Sequence, residues 1–382
     1  MVKKKFLIIG IILIVVIIAL IAIIGLCLNK NITKKDDVIK LGYIGSITGP
    51  LSKYGSYEAV TLAVDNINKA GGINGKQIKL IAEDGKGDSK EAVNAVNKLI
   101  TMDGVKVILG GHCAAESLAI APIVEQNKVI MLASITTTPK LTPMGDYVFR
   151  TSPVSLIQSD IVADSLYNKL HKRKLAIVYE QTDYAMPIAE KLKANFTQYG
   201  GEVVLFEQYA PGVIDFRTLL AKVKDDNADA LFLSAQSPAS VLNFMKQVKE
   251  LGLNIQLSGN DASVNQSTID EIPNLYENYI LAAPNFDLNN SKTSDFIKQY
   301  TAKYNTKDLP YGIWTAESYD AVYIIKKCVE EYGETPDQIK QCLYNIKDFQ
   351  GTAGSISIDA NGDGIRAYYP KIVKSGIVLD FP

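Results

Sequence analysis

Two histidines, four cysteines and a net charge of −1 across 382 residues leave little room for several kinds of chemistry. The balanced charge, with no Lys/Arg cluster beyond the N-terminal region, removes the electrostatic case for nucleic acid as a partner. His112 and His171 share no metal-ligand spacing with other ligands, so no metal is expected. His112 stands beside Cys113, but neighbours at one strand end rarely meet as nucleophile and base, and no third member is visible. No phosphate-binding glycine loop is present either. Neither catalysis nor a cofactor is therefore expected. The run Asp359-Ala360-Asn361-Gly362-Asp363-Gly364 has the opening of a calcium loop, but its twelfth position is Pro370 and not the bidentate Glu such loops need. It reads as a hairpin turn.

Four cysteines are too few for a disulfide scaffold. Cys328 and Cys342 lie on successive helical patterns joined by Tyr332-Gly333-Glu334-Thr335-Pro336. They can bridge in an oxidising compartment or remain two buried thiols. Cys113 has no evident partner.

What is abundant is apolar sequence, 47% of the chain, part of it concentrated at the start. Phe6 to Leu28 carries no charge and follows Lys3, Lys4 and Lys5. About twenty apolar residues cross a bilayer core, so residues 6–28 read as a transmembrane helix, with 29–37 a polar tether. No Ala-x-Ala site follows, which favours an uncleaved anchor over a signal peptide. Lipidation at Cys27 and ordinary cleavage are the alternatives. Each places the globular part outside the cytoplasm, at the cell membrane.

From Lys40 onward, strand and helix patterns alternate. Lys40 to Gly45 is a β-branched and aromatic run. Val60, Ala63, Val64, Ile67 and Ala70 then form one apolar helical face. Gly71-Gly72-Ile73-Asn74-Gly75 ends that helix, and a second strand begins at Gln77. Strand, helix, strand at this length is a right-handed βαβ unit. Asp88 and Glu91 have capping-box spacing for the next helix. Strands are expected at 105–109, 129–132 and 147–150, with a helix near 115–126. A second alternating set runs from 156 to 259. Two rounds of this kind imply an α/β chain of two doubly wound parallel sheets. Helices return at 293–304, 315–332 and 335–345.

The stretch Gly45 to Gly55 with Gly49-Pro50-Leu51-Ser52-Lys53-Tyr54, the run from Ala63 to Ile78, and Glu83 to Asp88 resemble the opening of the solute-binding proteins of ABC importers. More narrowly they are similar to the leucine/isoleucine/valine-binding type. The likeness continues through Gly110 to Pro122, through Thr136 to Thr142, and through Phe149-Arg150-Thr151. It implies the periplasmic binding protein type I fold, with two lobes joined by a three-crossing hinge near Thr151, Ala282 and Arg366. Lobe 1 would comprise 38–151 and 282–365, lobe 2 152–281 and 366–382.

The same resemblance implies a ligand site between the lobes. Ala114, Ala115, Ile135, Thr136 and Thr137 match positions that hold the carboxylate and part of the ammonium of an amino acid. Asp261 matches an acidic ammonium ligand, Tyr184 an aromatic that closes over the ligand, and Tyr54 one bordering its side chain. Ala114 replaces a usual hydroxyl residue, Gln236 replaces an aromatic, and Glu116 would repel an anion if it pointed inward. These departures widen the expected ligand from a branched-chain amino acid to an amide or urea-like solute. The partners implied are a small-molecule solute and ABC permease subunits. A membrane-tethered sensor of the same fold is the alternative.

Overall fold

The computed structural model describes residues 38–382. The expected membrane anchor and tether lie outside the described residues. Within the described residues no helix is long and apolar enough to cross a membrane.

The first half of the chain builds β1 (Ile39–Gly45), α1 (Ser56–Lys69), β2 (Ile78–Asp84), α2 (Ser89–Thr101), β3 (Val107–Gly110), α3 (Ala114–Asn127), β4 (Ile130–Ala133) and β5 (Val148–Arg150). The five strands form one sheet in the order β2-β1-β3-β4-β5. β1, β3, β4 and β5 run parallel, with Ile44 level with Gly110 and Leu132 with Phe149. These strands are short continuous apolar runs because helices cover both faces. Val96, Leu99, Ile108, Ile120, Val124 and Met131 make the core beneath them. Gly110 has φ +138°, and a Cβ there would stand 2.0 Å from the Ile44 carbonyl oxygen, so no larger residue fits this strand end.

The chain then builds a second sheet. Its elements are α4 (Ile157–Asp164), β6 (Lys174–Glu180), α5 (Ala185–Gln198), β7 (Glu202–Tyr209), α6 (Arg217–Asp225), β8 (Ala230–Ser234), α7 (Pro238–Glu250), β9 (Gln256–Gly259), α8 (Gln266–Glu271), α9 (Pro273–Tyr276) and β10 (Ile280–Pro284). It then builds α10 (Ser291–Tyr304), α11 (Ile313–Tyr332) and α12 (Pro336–Tyr344), and α11 packs on α1 beside the first sheet. A small antiparallel sheet, β11 (Phe349–Gly351), β12 (Gly354–Ile358) and β13 (Gly364–Ile365), precedes β14 (Tyr368–Lys374) and β15 (Ile377–Asp380).

The second sheet has the order β15-β14-β10-β9-β8-β6-β7. It is not purely parallel, since β14 runs antiparallel to β10 and to β15. Ala282 pairs with Pro370 inside β10, and the chain leaves this sheet just past it, after Pro284. The other passages between sheets follow Arg150 and Ile365.

Asp88 caps α2 by accepting from the N–H groups of Lys90 and Glu91. Its own N–H donates to the Gly85 carbonyl, so the reciprocal half of the expected capping box is replaced by a turn contact. A complete capping box forms instead at Thr335 and Gln338. Cys328 and Cys342 are joined as a disulfide between α11 and α12, with Cα atoms 5.4 Å apart.

Candidate functional site

Ligands of doubly wound sheets bind beyond the carboxyl ends of the strands, where the strand order reverses. In the first sheet that point lies between β1 and β3, and in the second between β6 and β8. The segments following β1, β3 and β4 therefore face those following β6, β8 and β9. They line a common cavity.

On the side of the second sheet the chemistry centres on Asp261, which is 7% exposed. Tyr184 Oη donates to its Oδ1 at 2.6 Å and Tyr368 Oη to its Oδ2 at 3.0 Å. Its backbone N–H donates to Gln158 Oε1 at 2.8 Å, which fixes the loop after β9. Among the described residues no cation pairs with this carboxylate. Burial raises its pKa, and the two tyrosine hydroxyls oppose that rise. Nearby, Glu180 Oε2 accepts from the N–H groups of Gln236 (2.7 Å) and Ser237 (3.0 Å), holding the loop after β8.

The side of the first sheet is formed by the start of α3 and the loop after β4. The first-turn N–H groups of a helix have no helical acceptor and carry partial positive charge. The Thr136 hydroxyl is engaged with the Gly111 carbonyl (2.9 Å) and Ser117 Oγ (2.7 Å), so it braces the loop. Thr137 Oγ1, by contrast, is buried without a hydrogen-bond partner among the described residues. Beneath this loop Arg150 is fully buried. It donates to Asp363 Oδ1 (2.7 Å), the Thr138 carbonyl (2.7 Å) and Thr142 Oγ1 (2.7 Å).

Glu116 does not face the cavity. Its carboxylate accepts from the N–H groups of Gly87 (2.8 Å) and His112 (2.7 Å), tying the loops after β2 and β3 together. A Cβ at Gly85 would stand 2.3 Å from Glu116 Oε1, so the glycine leaves room for this tie. The inward orientation that would repel an anion is therefore not adopted.

Side chains from the two sheets' ends touch directly around the cavity. Tyr54 Oη donates to the Gln236 carbonyl (3.2 Å), and Thr138 Oγ1 to the Asp183 carbonyl (2.8 Å). Lys140 pairs with Asp183 at 2.6 Å, and Asn265 Nδ2 donates to Tyr311 Oη at 3.1 Å. Below the site, Arg366 Nε lies 3.1 Å from Glu317 Oε1, both buried. Burial raises the Glu317 carboxyl to about 7, against the pull of Arg366.

Tyr54, Ala114, Ile135, Thr136, Thr137, Tyr184, Gln236 and Asp261 all line this cavity. Ala115 does not; it lines the neighbouring groove that opens toward Met186 and Ile214. Sequence reasoning passed over three aromatics. Trp314 forms part of the wall, Tyr311 stacks on Tyr54 with ring centroids 3.9 Å apart, and Tyr368 binds Asp261. Trp314, the single tryptophan, beside Tyr311-Gly312 was a signal available for the first two. Nothing local marks Tyr368.

Residues 38–376 match the family described as Periplasmic binding protein. The leucine-, isoleucine-, valine-, threonine- and alanine-binding protein of Pseudomonas aeruginosa is 28% identical over 331 residues, covering 86% of this chain and 87% of that protein. The Leu/Ile/Val-binding protein of Escherichia coli is 27% identical over 331 residues, with 85% and 88% covered. Among solved structures, a branched-chain amino acid transporter substrate binding protein from Streptococcus pneumoniae, in complex with isoleucine, gives a TM-score of 0.81 at 26% identity, covering 90% of this chain and 98% of that one. A solute binding protein of an ABC transporter from Rhodopseudomonas palustris, in complex with 3,4-dihydroxybenzoic acid, shares the fold with a TM-score of 0.76 at 24% identity, over 88% of this chain and 93% of that one. The chain thus belongs to the periplasmic binding protein family.

Proposed function

We propose that this protein is the extracytoplasmic receptor of an ABC importer, capturing an amino acid by closure of its two lobes and presenting it to permease subunits. The observation that carries the reading is Asp261, a buried carboxylate held by neutral hydroxyls with no cation beside it among the described residues. A carboxylate desolvated in this way carries an uncompensated cost that a cation beside it offsets. Across the cavity, the first turn of α3 and the Thr137 hydroxyl suit a carboxylate. A zwitterion answers both poles, with Asp261 reading the α-ammonium and lobe 1 the α-carboxylate. Tyr54 and Tyr184 then close over the remainder of the ligand. The apolar segment 6–28 would keep the receptor at the membrane. The protein performs no reaction in this scheme; its work is selective closure.

The test is the melting temperature of the purified protein against amino acids, amides, ureas and aromatic carboxylates. Ligand at a hundred times its Kd adds about 2.7 kcal/mol, a shift of several degrees. Shifts confined to amino acids support the proposal. Shifts only with amides or ureas keep a receptor but change its ligand, and shifts only with aromatic carboxylates refute the role of Asp261.

A further inference from the structure

The cavity wall includes one polar side chain that neither pole of a zwitterion explains. His112 is 6% exposed, and neither of its ring nitrogens has a hydrogen-bond partner among the described residues. Its placement is firmly set. The His112 backbone N–H donates to Glu116 Oε2 at 2.7 Å, and the ring lies perpendicular to that of Tyr54 with centroids 5.3 Å apart. Tyr54 is in turn backed by the stacked ring of Tyr311. Burial lowers the imidazole pKa to about 4, so the ring is neutral at ordinary pH. A neutral imidazole offers one N–H donor and one acceptor nitrogen.

Buried polar groups in native proteins are nearly always satisfied, by protein, water or ligand. Of the other wall residues, Leu51 and Ile135 offer this ring no hydrogen bond, and the Trp314 indole can only donate. Gln236 adds a second polar group to the same cavity. A branched alkyl side chain entering here would leave the imidazole unanswered. A hydroxyl or a primary amide, each both donor and acceptor, would answer it.

Building on the amino-acid reading above, we propose that His112 is a specificity-determining residue that selects amino acids with a short, neutral, hydrogen-bonding side chain over branched alkyl side chains of the same shape. Hydroxyl and primary-amide side chains are the class expected.

The experiment compares isosteric pairs by calorimetry on the purified protein: threonine with valine, and asparagine with leucine. Sites built to hydrogen-bond a ligand group reject the analogue lacking it far more strongly than apolar pockets discriminate by size. The polar member of at least one pair should bind about tenfold or more tightly than its partner. His112→Leu should bring that ratio to parity or invert it while amino-acid binding persists. Valine and leucine binding as tightly as threonine and asparagine would overturn the inference yet leave an amino-acid receptor standing. An unchanged ratio in His112→Leu would overturn it too. Should that variant fail to fold, the wild-type ratio decides alone. Failure of every amino acid to bind would remove both this inference and the reading beneath it.

Discussion

Asp261→Asn separates the cost of a buried charge from its use. In the free protein the Asp261 carboxylate accepts two tyrosine hydroxyls, from Tyr184 at 2.6 Å and Tyr368 at 3.0 Å, and meets no cation among the described residues. Asparagine has nearly the same volume. Its amide oxygen can accept one hydroxyl, and its NH₂ can donate to the other. The fold should therefore survive the change. The direction of the stability effect follows from the carboxyl's pKa, which burial raises above its unfolded value. Such a group binds protons more tightly in the folded state, so it destabilises the protein at neutral pH and ceases to do so as pH falls through the raised pKa. Ligand-free Asp261→Asn should accordingly melt at or above the wild-type temperature near pH 7. Binding should move the other way. Removing one member of a desolvated charge pair costs about 2–5 kcal/mol, a loss of affinity of about thirty-fold to several thousand-fold. Calorimetry with the best amino acid from the melting panel measures it. Wild-type affinity should also weaken as pH falls toward the raised Asp261 pKa, since the protonated carboxyl cannot pair with an ammonium. A variant that binds within threefold of wild type, at unaltered stability, would refute the ammonium assignment.

Three further outcomes follow from contacts away from the ligand. Closing a loop of about fifteen residues limits the unfolded chain by about 3 kcal/mol; reduction of Cys328–Cys342, 14 residues apart, should lower the melting temperature by several degrees, and mass spectrometry of the unreduced protein should find the link intact. Arg150→Met leaves Asp363 buried without its guanidinium and frees the loop through Thr138 and Thr142. Loss of about 3–5 kcal/mol in denaturant unfolding is expected, with ligand affinity falling as the Thr136–Thr137 loop loosens. Arg366→Met strips Glu317 of its cation, and because burial already raises the Glu317 carboxyl to about 7 from an ordinary 4.5, the deficit should be largest at pH 8 and shrink as pH is lowered toward 5. A deficit that is flat with pH would show that Glu317 does not carry it.

The parts of this molecule that were readable in the sequence are those whose cause is local. β1, β3, β4 and β8 are short apolar runs between turn residues, and α2, α6 and α12 show one apolar face each. Their alternation implies two sheets, and the carboxyl ends of those strands imply where a ligand lies. β14 escaped the same reasoning because its sequence argues against a strand inside a sheet. Pro370 cannot donate to a ladder, and Lys371 and Lys374 interrupt the apolar pattern. The fold accommodates both departures. Pro370 lies level with Ala282 and accepts from the Phe381 N–H, while the Lys371 ammonium reaches Asn285 and Asp380.

The same distinction divides the site. Thr137 and Asp261 lie in the loops after β4 and β9, whose place the pattern fixes, while the family resemblance is what singled out these two residues. What surrounds them could not be anticipated, because it depends on pairs far apart in the chain. Tyr368 reaches Asp261 across 107 residues, and Arg366 reaches Glu317 from the third passage between sheets. Glu317 and Asp320 also contradict the polar-outside pattern of a helix, since both are buried on α11. Asp320 accepts from the N–H groups of Thr352 and Ala353, each at 2.7 Å, so its burial is matched by hydrogen bonds and anchors the small antiparallel sheet to α11. Glu317 has a cation and Asp320 has backbone donors, whereas Asp261 meets neutral groups alone, the Tyr184 and Tyr368 hydroxyls with the Gln158 amide and the Ala262 N–H beside them. Of these buried carboxylates, Asp261 lines the cavity between the lobes and keeps its charge unmatched, and that difference is why a cationic group belongs beside it.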